Sequence, residues 1–135
     1  MGKYFTMGEM MRSDTAQKRG IDNKCTKEDA VRLKALIENV LDPLREAYGK
    51  PIIVTSGYRC PALNKAVGGS LTSDHMKGCA ADIVGTPNKP EENKHLFYLI
   101  QSLGLDFDQL IDEKGFSWVH VSYREGNNRK QVLAM

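Results

Sequence analysis

The stretch SDHMKGCAADIV, residues 73–84, decides how the chain is interpreted. Its second half has the small and β-branched residues of a short buried strand, in which Asp82 points away from Ile83. An unpaired buried carboxylate is costly, and coordination of a metal ion offsets that cost. His75 adds an imidazole in the same stretch. The stretch therefore predicts two ligands of a zinc-type site, whose third protein ligand must come from elsewhere.

The third ligand is predicted from a β-hairpin in the last third of the chain. A turn around Gly115 separates two strand-like runs. Alternation along the second run places Trp118 and His120 opposite the valines that would face the core. His120 would then complete a set of two imidazoles and one carboxylate with His75 and Asp82.

Helical periodicity and capping residues predict the main helices. Thr26 precedes the strongest helical pattern, and a later helix is expected from Pro90 to Gly104. Pro43 lies inside the first pattern, where it must interrupt the hydrogen-bond ladder. We therefore expect Asp42 to cap a helix that kinks or restarts there.

Composition limits the classes of function. The chain has 135 residues, of which 41% are hydrophobic and 27% charged, so we expect one domain over residues 1–135. Its formal net charge of +2 and scattered basic residues do not favour nucleic acid. The opening MGKYFTMGEM lacks the apolar region of a signal peptide, and no stretch reaches the length of a membrane span.

The remaining metal-type side chains predict no second site. Cys25, Cys60 and Cys79 form no C-x-x-C pair, so we expect reduced thiols, with a Cys60–Cys79 disulfide as the lesser alternative. His95 falls on the amphipathic helix after Pro90, where a surface or half-buried histidine is expected.

Three motifs carry a resemblance to a known family: SDHMKGCAAD at residues 73–82, SGYR at residues 56–59, and WVH at residues 118–120. The first follows the pattern S-x-H-x-x-G-x-A-x-D. The chain resembles the zinc D-Ala-D-Ala carboxypeptidase family, and especially its small single-domain peptidoglycan peptidases. The resemblance runs from about Phe5 to about Tyr123. It implies an α+β fold of the hedgehog/DD-peptidase type, a small antiparallel sheet with flanking helices.

The resemblance also implies an activity and its metal. Such enzymes hydrolyse peptide bonds in bacterial cell-wall stem peptides with metal-activated water, as D-Ala-D-Ala carboxypeptidases or cross-link endopeptidases. Their ligand pattern places Zn²⁺ on His75, Asp82 and His120. A zinc-dependent peptidase acting on peptidoglycan stem peptides is therefore expected.

Substrate contacts are implied at three further residues. Arg59 of the SGYR motif is expected to hold a substrate carbonyl or carboxylate, which its planar fork of donors suits, with a surface ion pair as the alternative. Ser73 is expected beside the substrate, or else bonded to its own loop. Trp118 is expected in the groove wall, with core packing as the alternative; for Tyr58 core packing is favoured.

The general base departs from the family's pattern. Many relatives carry an acid three residues before the last histidine ligand, where this chain has Ser117. Glu113 and Asp112 are the nearest carboxylates. We choose Glu113, which shares a strand face with Ile111, although the hairpin register could reverse this preference.

Two other functions remain open. A serine hydrolase would use Ser73, His75 and Asp82, but no G-x-S-x-G elbow surrounds Ser73. A non-catalytic zinc-containing peptidoglycan-binding or morphogenetic module would bind zinc without turnover. In each case we expect a monomer with no membrane span, made in a bacterial or phage-infected cytoplasm and acting on the cell wall, as an endolysin does.

Overall fold

The computed structural model describes residues 3–135, and a five-stranded sheet lies at its centre. The strands are β1 (Ile53–Ser56), β2 (Ala80–Val84), β3 (Gln109–Glu113), β4 (Trp118–Ser122) and β5 (Gln131–Ala134). Their order is β1-β2-β4-β3-β5. β5 pairs in parallel with β3, whereas the other three pairings are antiparallel. The predicted hairpin is β3–β4, and the predicted α+β fold with a small, mostly antiparallel sheet is confirmed.

Helices flank this sheet, and side-chain caps define where the first three begin. The helices are α1 (Met7–Met11), α2 (Asp14–Arg19), α3 (Lys27–Leu36), α4 (Asp42–Tyr48), α5 (Pro61–Ala66) and α6 (Pro90–Ser102). The hydroxyl oxygens of Thr6, Ser13 and Thr26 accept hydrogen bonds from backbone amides in the first turns of α1, α2 and α3. Such caps satisfy amides that have no partner inside the helix.

A new α-helical segment, α4, begins at Asp42 as expected, but the expectation that Asp42 itself caps it is wrong. One π turn, Ile37–Leu41, connects α3 directly to α4, and Asp42 itself has helical angles. A π turn changes the hydrogen-bond spacing and so accommodates Pro43, which has no N–H to donate. The Asp42 carboxylate instead accepts the backbone amides of Lys3, at 2.6 Å, and Tyr4, at 3.0 Å.

The hydrophobic core lies between the helices and one face of the sheet. Ile83 of β2 and Val119 and Val121 of β4 are fully buried in it. Because side chains alternate along a strand, Asp82 and His120 lie on the opposite face. The alternation predicted from the sequence therefore holds in both strands.

The fold can be compared with the predictions about the cysteines and about membrane-spanning helices. Cys25, Cys60 and Cys79 all carry free thiols, as expected. Within residues 3–135, none of the helices combines the length and the apolar character needed to cross a bilayer.

Candidate metal centre

Three side chains from separate segments converge on one point. His75 lies in a single 3₁₀ turn, Asp74–Lys77, Asp82 lies in β2, and His120 is directly opposite Asp82 in β4. Oδ1 of Asp82 is 3.3 Å from Nε2 of His75 and 3.0 Å from Nδ1 of His120. With metal–ligand bonds of about 2 Å, the donors of a tetrahedral ion lie roughly 3.3 Å apart. The spacing of these atoms therefore fits one divalent ion.

The orientation of His75 is set by a backbone carbonyl. Its side chain is 2% exposed, and Nδ1 lies 2.7 Å from the carbonyl oxygen of Gly57. Because a carbonyl only accepts, Nδ1 carries the hydrogen and Nε2 presents its lone pair toward Asp82. A lone pair facing a carboxylate oxygen requires a proton or a cation between them, so this geometry also fits a bound metal.

Two glycines of the motifs allow this arrangement. A Cβ on Gly57 would lie 2.3 Å from the carbonyl oxygen of Met10, so only glycine lets the end of β1 approach α1 and turn its carbonyl toward His75. Gly78 ends the 3₁₀ turn with φ of +76°, and a Cβ there would lie 2.5 Å from the carbonyl oxygen of Asp29. Both glycines therefore act by close backbone packing.

Asp82 is a partly buried carboxylate that stays ionised. Burial by itself would raise the pKa of Asp82, but hydrogen bonds and charge interactions with His120 and His75 outweigh it and hold the pKa well below its usual range. A partly buried anion between two imidazoles is a donor set suited to a cation.

Arg59 lies in the same cleft with donors to spare. Nη2 of Arg59 donates to the Ser73 hydroxyl at 3.2 Å, while its Nε is buried without a hydrogen-bond partner. Burial lowers the pKa of Arg59, and the charge of Asp82 partly offsets this. No ion pair of Arg59 with a carboxylate is found among residues 3–135. A buried unpaired donor in a cleft favours a ligand contact over a surface ion pair.

Ser73 contacts both the loop and Arg59. Its hydroxyl oxygen accepts the backbone amide of His75 at 3.2 Å and so caps the 3₁₀ turn. The two roles considered for Ser73, loop stabilisation and a place beside the substrate, are therefore compatible with one position.

The hairpin register separates Glu113 from Asp112. Glu113 pairs with Trp118 on the sheet face that carries His120, and it lines the cleft. Asp112 has the opposite orientation along β3, and its Oδ1 accepts the backbone amide of Phe116 at 2.6 Å. Asp112 is thus engaged in the turn, and Glu113 is the carboxylate of this pair on the sheet face of the candidate ligands.

Glu113 also has the electrostatics of a proton acceptor. Burial raises the pKa of Glu113, and the negative charge of Asp82 raises it further. Ser117, which stands at the position where many relatives carry the acid, donates its hydroxyl to the Lys114 carbonyl at 2.7 Å. Ser117 is therefore part of the turn.

The cleft around these residues has a volume of about 640 Å³. Trp118 forms part of its wall, and the Lys114 ammonium lies 5.6 Å from the Trp118 ring centre. Tyr58 is 4% exposed and belongs to the core, as favoured from the sequence. His95 is exposed on α6, with its ring 5.7 Å from that of Tyr48, and lies outside the three-residue group.

Sequence reasoning missed an ion-pair network at the other end of the cleft. Arg129 binds Asp108 with Nε at 2.8 Å and Nη2 at 2.9 Å. Arg124 bridges to Asp74 at 2.5 Å and to Asp108 at 3.5 Å. The only signal available was that Asp74 adjoins His75, because partners 21 and 50 residues apart leave no local pattern.

Comparison with known proteins agrees with the motifs. The family model described as Peptidase M15 matches residues 3–122. A search of curated proteins gave no match for this chain. The M15 peptidases are zinc-dependent. Since the matched residues contain β1 to β4 and all three candidate ligands, the chain belongs to the M15 family of zinc D-Ala-D-Ala carboxypeptidases.

Proposed function

We propose that this chain is a zinc-dependent peptidase that cleaves bacterial cell-wall stem peptides, as a D,D-carboxypeptidase or a cross-link endopeptidase. The observation that carries the proposal is that His75, Asp82 and His120 share one cleft with Arg59 and Glu113. Three protein donors are typical of a catalytic zinc site, whereas structural sites usually have four.

His75, Asp82 and His120 would hold the metal. Bound zinc would polarise the scissile carbonyl and lower the pKa of a water molecule toward neutrality. The Gly57 carbonyl keeps the Nδ1 hydrogen of His75 in place, so that Nε2 is ready to coordinate without reorientation.

Glu113 is the proposed general base. Its raised pKa makes it a better proton acceptor than an ordinary surface glutamate, because base strength rises with pKa. It would take a proton from the attacking water and deliver it to the leaving amine. Its position opposite Trp118 keeps the carboxylate within the cleft.

Arg59 is proposed to hold the substrate by an oxygen atom. Its unpaired Nε and its guanidinium fork can donate to a carbonyl or a carboxylate, and Ser73 fixes Nη2. A donor already oriented in a partly buried cleft costs little reorganisation during the reaction. Trp118 would flank the bound peptide.

Digestion of purified peptidoglycan tests the function. The zinc-loaded chain is expected to release fragments identifiable by mass, chelator is expected to stop the release, and added zinc to restore it. Release of terminal D-Ala indicates a carboxypeptidase, and separation of cross-linked stems indicates an endopeptidase. A chain that binds zinc and releases nothing from either substrate contradicts the proposal.

A non-catalytic wall-binding module is the second candidate, and Ser117 favours it, since this position lacks the acid that many relatives carry. This module would bind stem peptides and zinc but leave the peptides intact. For either function we propose that residues 1–135 act at the cell wall as one monomeric domain.

A further inference from the structure

The floor of the cleft continues from the metal ligands onto the last strand. Asp82 is opposite His120, His120 is opposite Ile111, and Ile111 is opposite Leu133. These four side chains therefore form one row across β2, β4, β3 and β5. Neighbouring strands lie about 4.8 Å apart, so Leu133 is two spacings, or about 10 Å, from His120.

The far end of this row is apolar and opens toward Met135. Ile111, Leu133 and Met135 all line the cleft; Ile111 is 7% exposed, whereas Met135 is 73% exposed. Arg124 and Arg129 line the cleft as well. An accessible apolar surface that is continuous with a catalytic cleft is a feature of ligand sites.

The strand that carries this surface is held firmly. Asp108 is fully buried, its side chain receives the Arg129 fork, and its carbonyl accepts the Gln131 amide at 2.9 Å. At the other end the Met135 amide donates to the Asp112 carbonyl at 2.8 Å. Hydrogen bonds therefore tie both ends of β5 to β3 and to the residue before it, and a wall already in place lowers the cost of ordering on binding.

We propose that Ile111, Leu133 and Met135 form a remote subsite that selects long stem peptides over short ones. This inference rests on the proposed function. An extended peptide rises about 3.4 Å per residue, so a residue about three positions from the scissile bond reaches this surface. Its methyl or methylene groups pack on the subsite, and a dipeptide is too short to reach it. β5 follows residue 122, the last residue matched by the family model.

The test compares two neighbouring residues of β5. Leu133→Asp places a charge in the subsite, whereas Val132→Asp places the same charge on a residue that is 44% exposed and does not line the cleft. Both changes are made in zinc-loaded full-length Glu113→Gln, in which bound peptide is expected to stay intact, and the proteins are titrated with a synthetic stem pentapeptide and with acetyl-D-Ala-D-Ala; cleavage is measured separately with Glu113 present. Trp118, the one tryptophan of the chain, reports binding by its fluorescence.

Leu133→Asp is expected to raise the Kd for the pentapeptide about tenfold or more and to leave the Kd for the dipeptide nearly unchanged. Val132→Asp is expected to change neither Kd. An unchanged pentapeptide Kd in Leu133→Asp overturns the subsite, as does equal weakening of both ligands.

The charge introduced by Leu133→Asp could displace β5 from the sheet, so a second variant, Leu133→Ala, only shortens the side chain. If Leu133→Asp loses thermal stability, Leu133→Ala decides: selective weakening of the pentapeptide supports the subsite, and wild-type binding overturns it. The same experiments distinguish failure of the subsite from failure of the proposed peptidase function. Pentapeptide that is bound but never cleaved contradicts the peptidase and leaves the subsite standing, whereas cleavage unaffected by Leu133→Asp contradicts the subsite alone.

Discussion

Two carboxylates, Asp82 in β2 and Asp108 just before β3, both have little exposure and a lowered pKa but differ in their partners. Asp108 is fully buried, and the Arg129 fork lowers its pKa against the opposing effect of burial. The Asp82 side chain is 16% exposed and contacts His75 and His120. Guanidinium groups keep their charge at any ordinary pH, so the charge of Asp108 is permanently paired. Imidazole is a neutral ligand, so the Asp82 charge stays available to a cation. Partner chemistry, more than burial, separates a metal site from a structural ion pair.

The largest effect is expected when Asp82, the carboxylate of the candidate metal site, is replaced. Asp82→Asn should abolish zinc binding and lower kcat/KM by more than about 10³-fold, because the ion loses its only anionic ligand. Metal content by mass spectrometry and peptide hydrolysis provide the measurements. Asp108→Asn is the matched control and should keep its zinc. If Asp82→Asn still binds one zinc and turns over, the ligand set is wrong.

A second change separates the two neighbouring acids of β3. Glu113→Gln should lower kcat by about 10²- to 10⁴-fold with zinc content unchanged, because the amide cannot accept the proton. Asp112→Asn should retain most activity, since its carboxylate is engaged by the Phe116 amide. Rates and zinc content are measured for both variants. The opposite result, an active Glu113→Gln and an inactive Asp112→Asn, would reverse the assignment.

The structural carboxylate should instead control stability. Asp108→Asn is expected to lower the free energy of unfolding by about 1–3 kcal/mol, because Arg129 loses its charged partner. The folded-state pKa of Asp108 lies below its ordinary value of 3.8. Its contribution is therefore complete above the ordinary pKa and is lost as the pH falls through the folded one. Urea unfolding at about pH 7 and about pH 3 should show the difference between wild type and variant shrinking at the lower pH. A difference that stays constant would contradict the ion-pair origin.

The smallest effect is expected at the residue that connects the two regions. Arg124 contacts Asp108 and also Asp74, which adjoins the candidate ligand His75. Because the Arg124 side chain is 36% exposed, Arg124→Gln should lower the free energy of unfolding by only about 0–1 kcal/mol. Zinc affinity should fall by less than about tenfold. A zinc loss as complete as that expected for Asp82→Asn would show that the two regions are strongly coupled.

Sequence alone was sufficient where the deciding interactions are local. The cap at Thr26 depends on residues within one turn, and the alternation that places His120 opposite the core depends on the pleat of a single strand. The metal motif was recognised because two of its ligands lie seven positions apart in the chain, and their family pattern is specific. The helix start and the strand alternation were predicted in type and position, and the metal ligands stay a prediction.

Tertiary structure decided whatever depended on distant partners. Three features could not be predicted: the π turn before Pro43, the Asp108–Arg129 pair and the parallel pairing of β5. Each depends on burial and on long-range hydrogen bonds, which leave no local sequence pattern. The choice of Glu113 over Asp112 likewise needed the hairpin register, because a shift of one residue exchanges the two faces of a strand. Residue types thus determined which chemistry was available, and the packing of the sheet determined which side chains face the cleft.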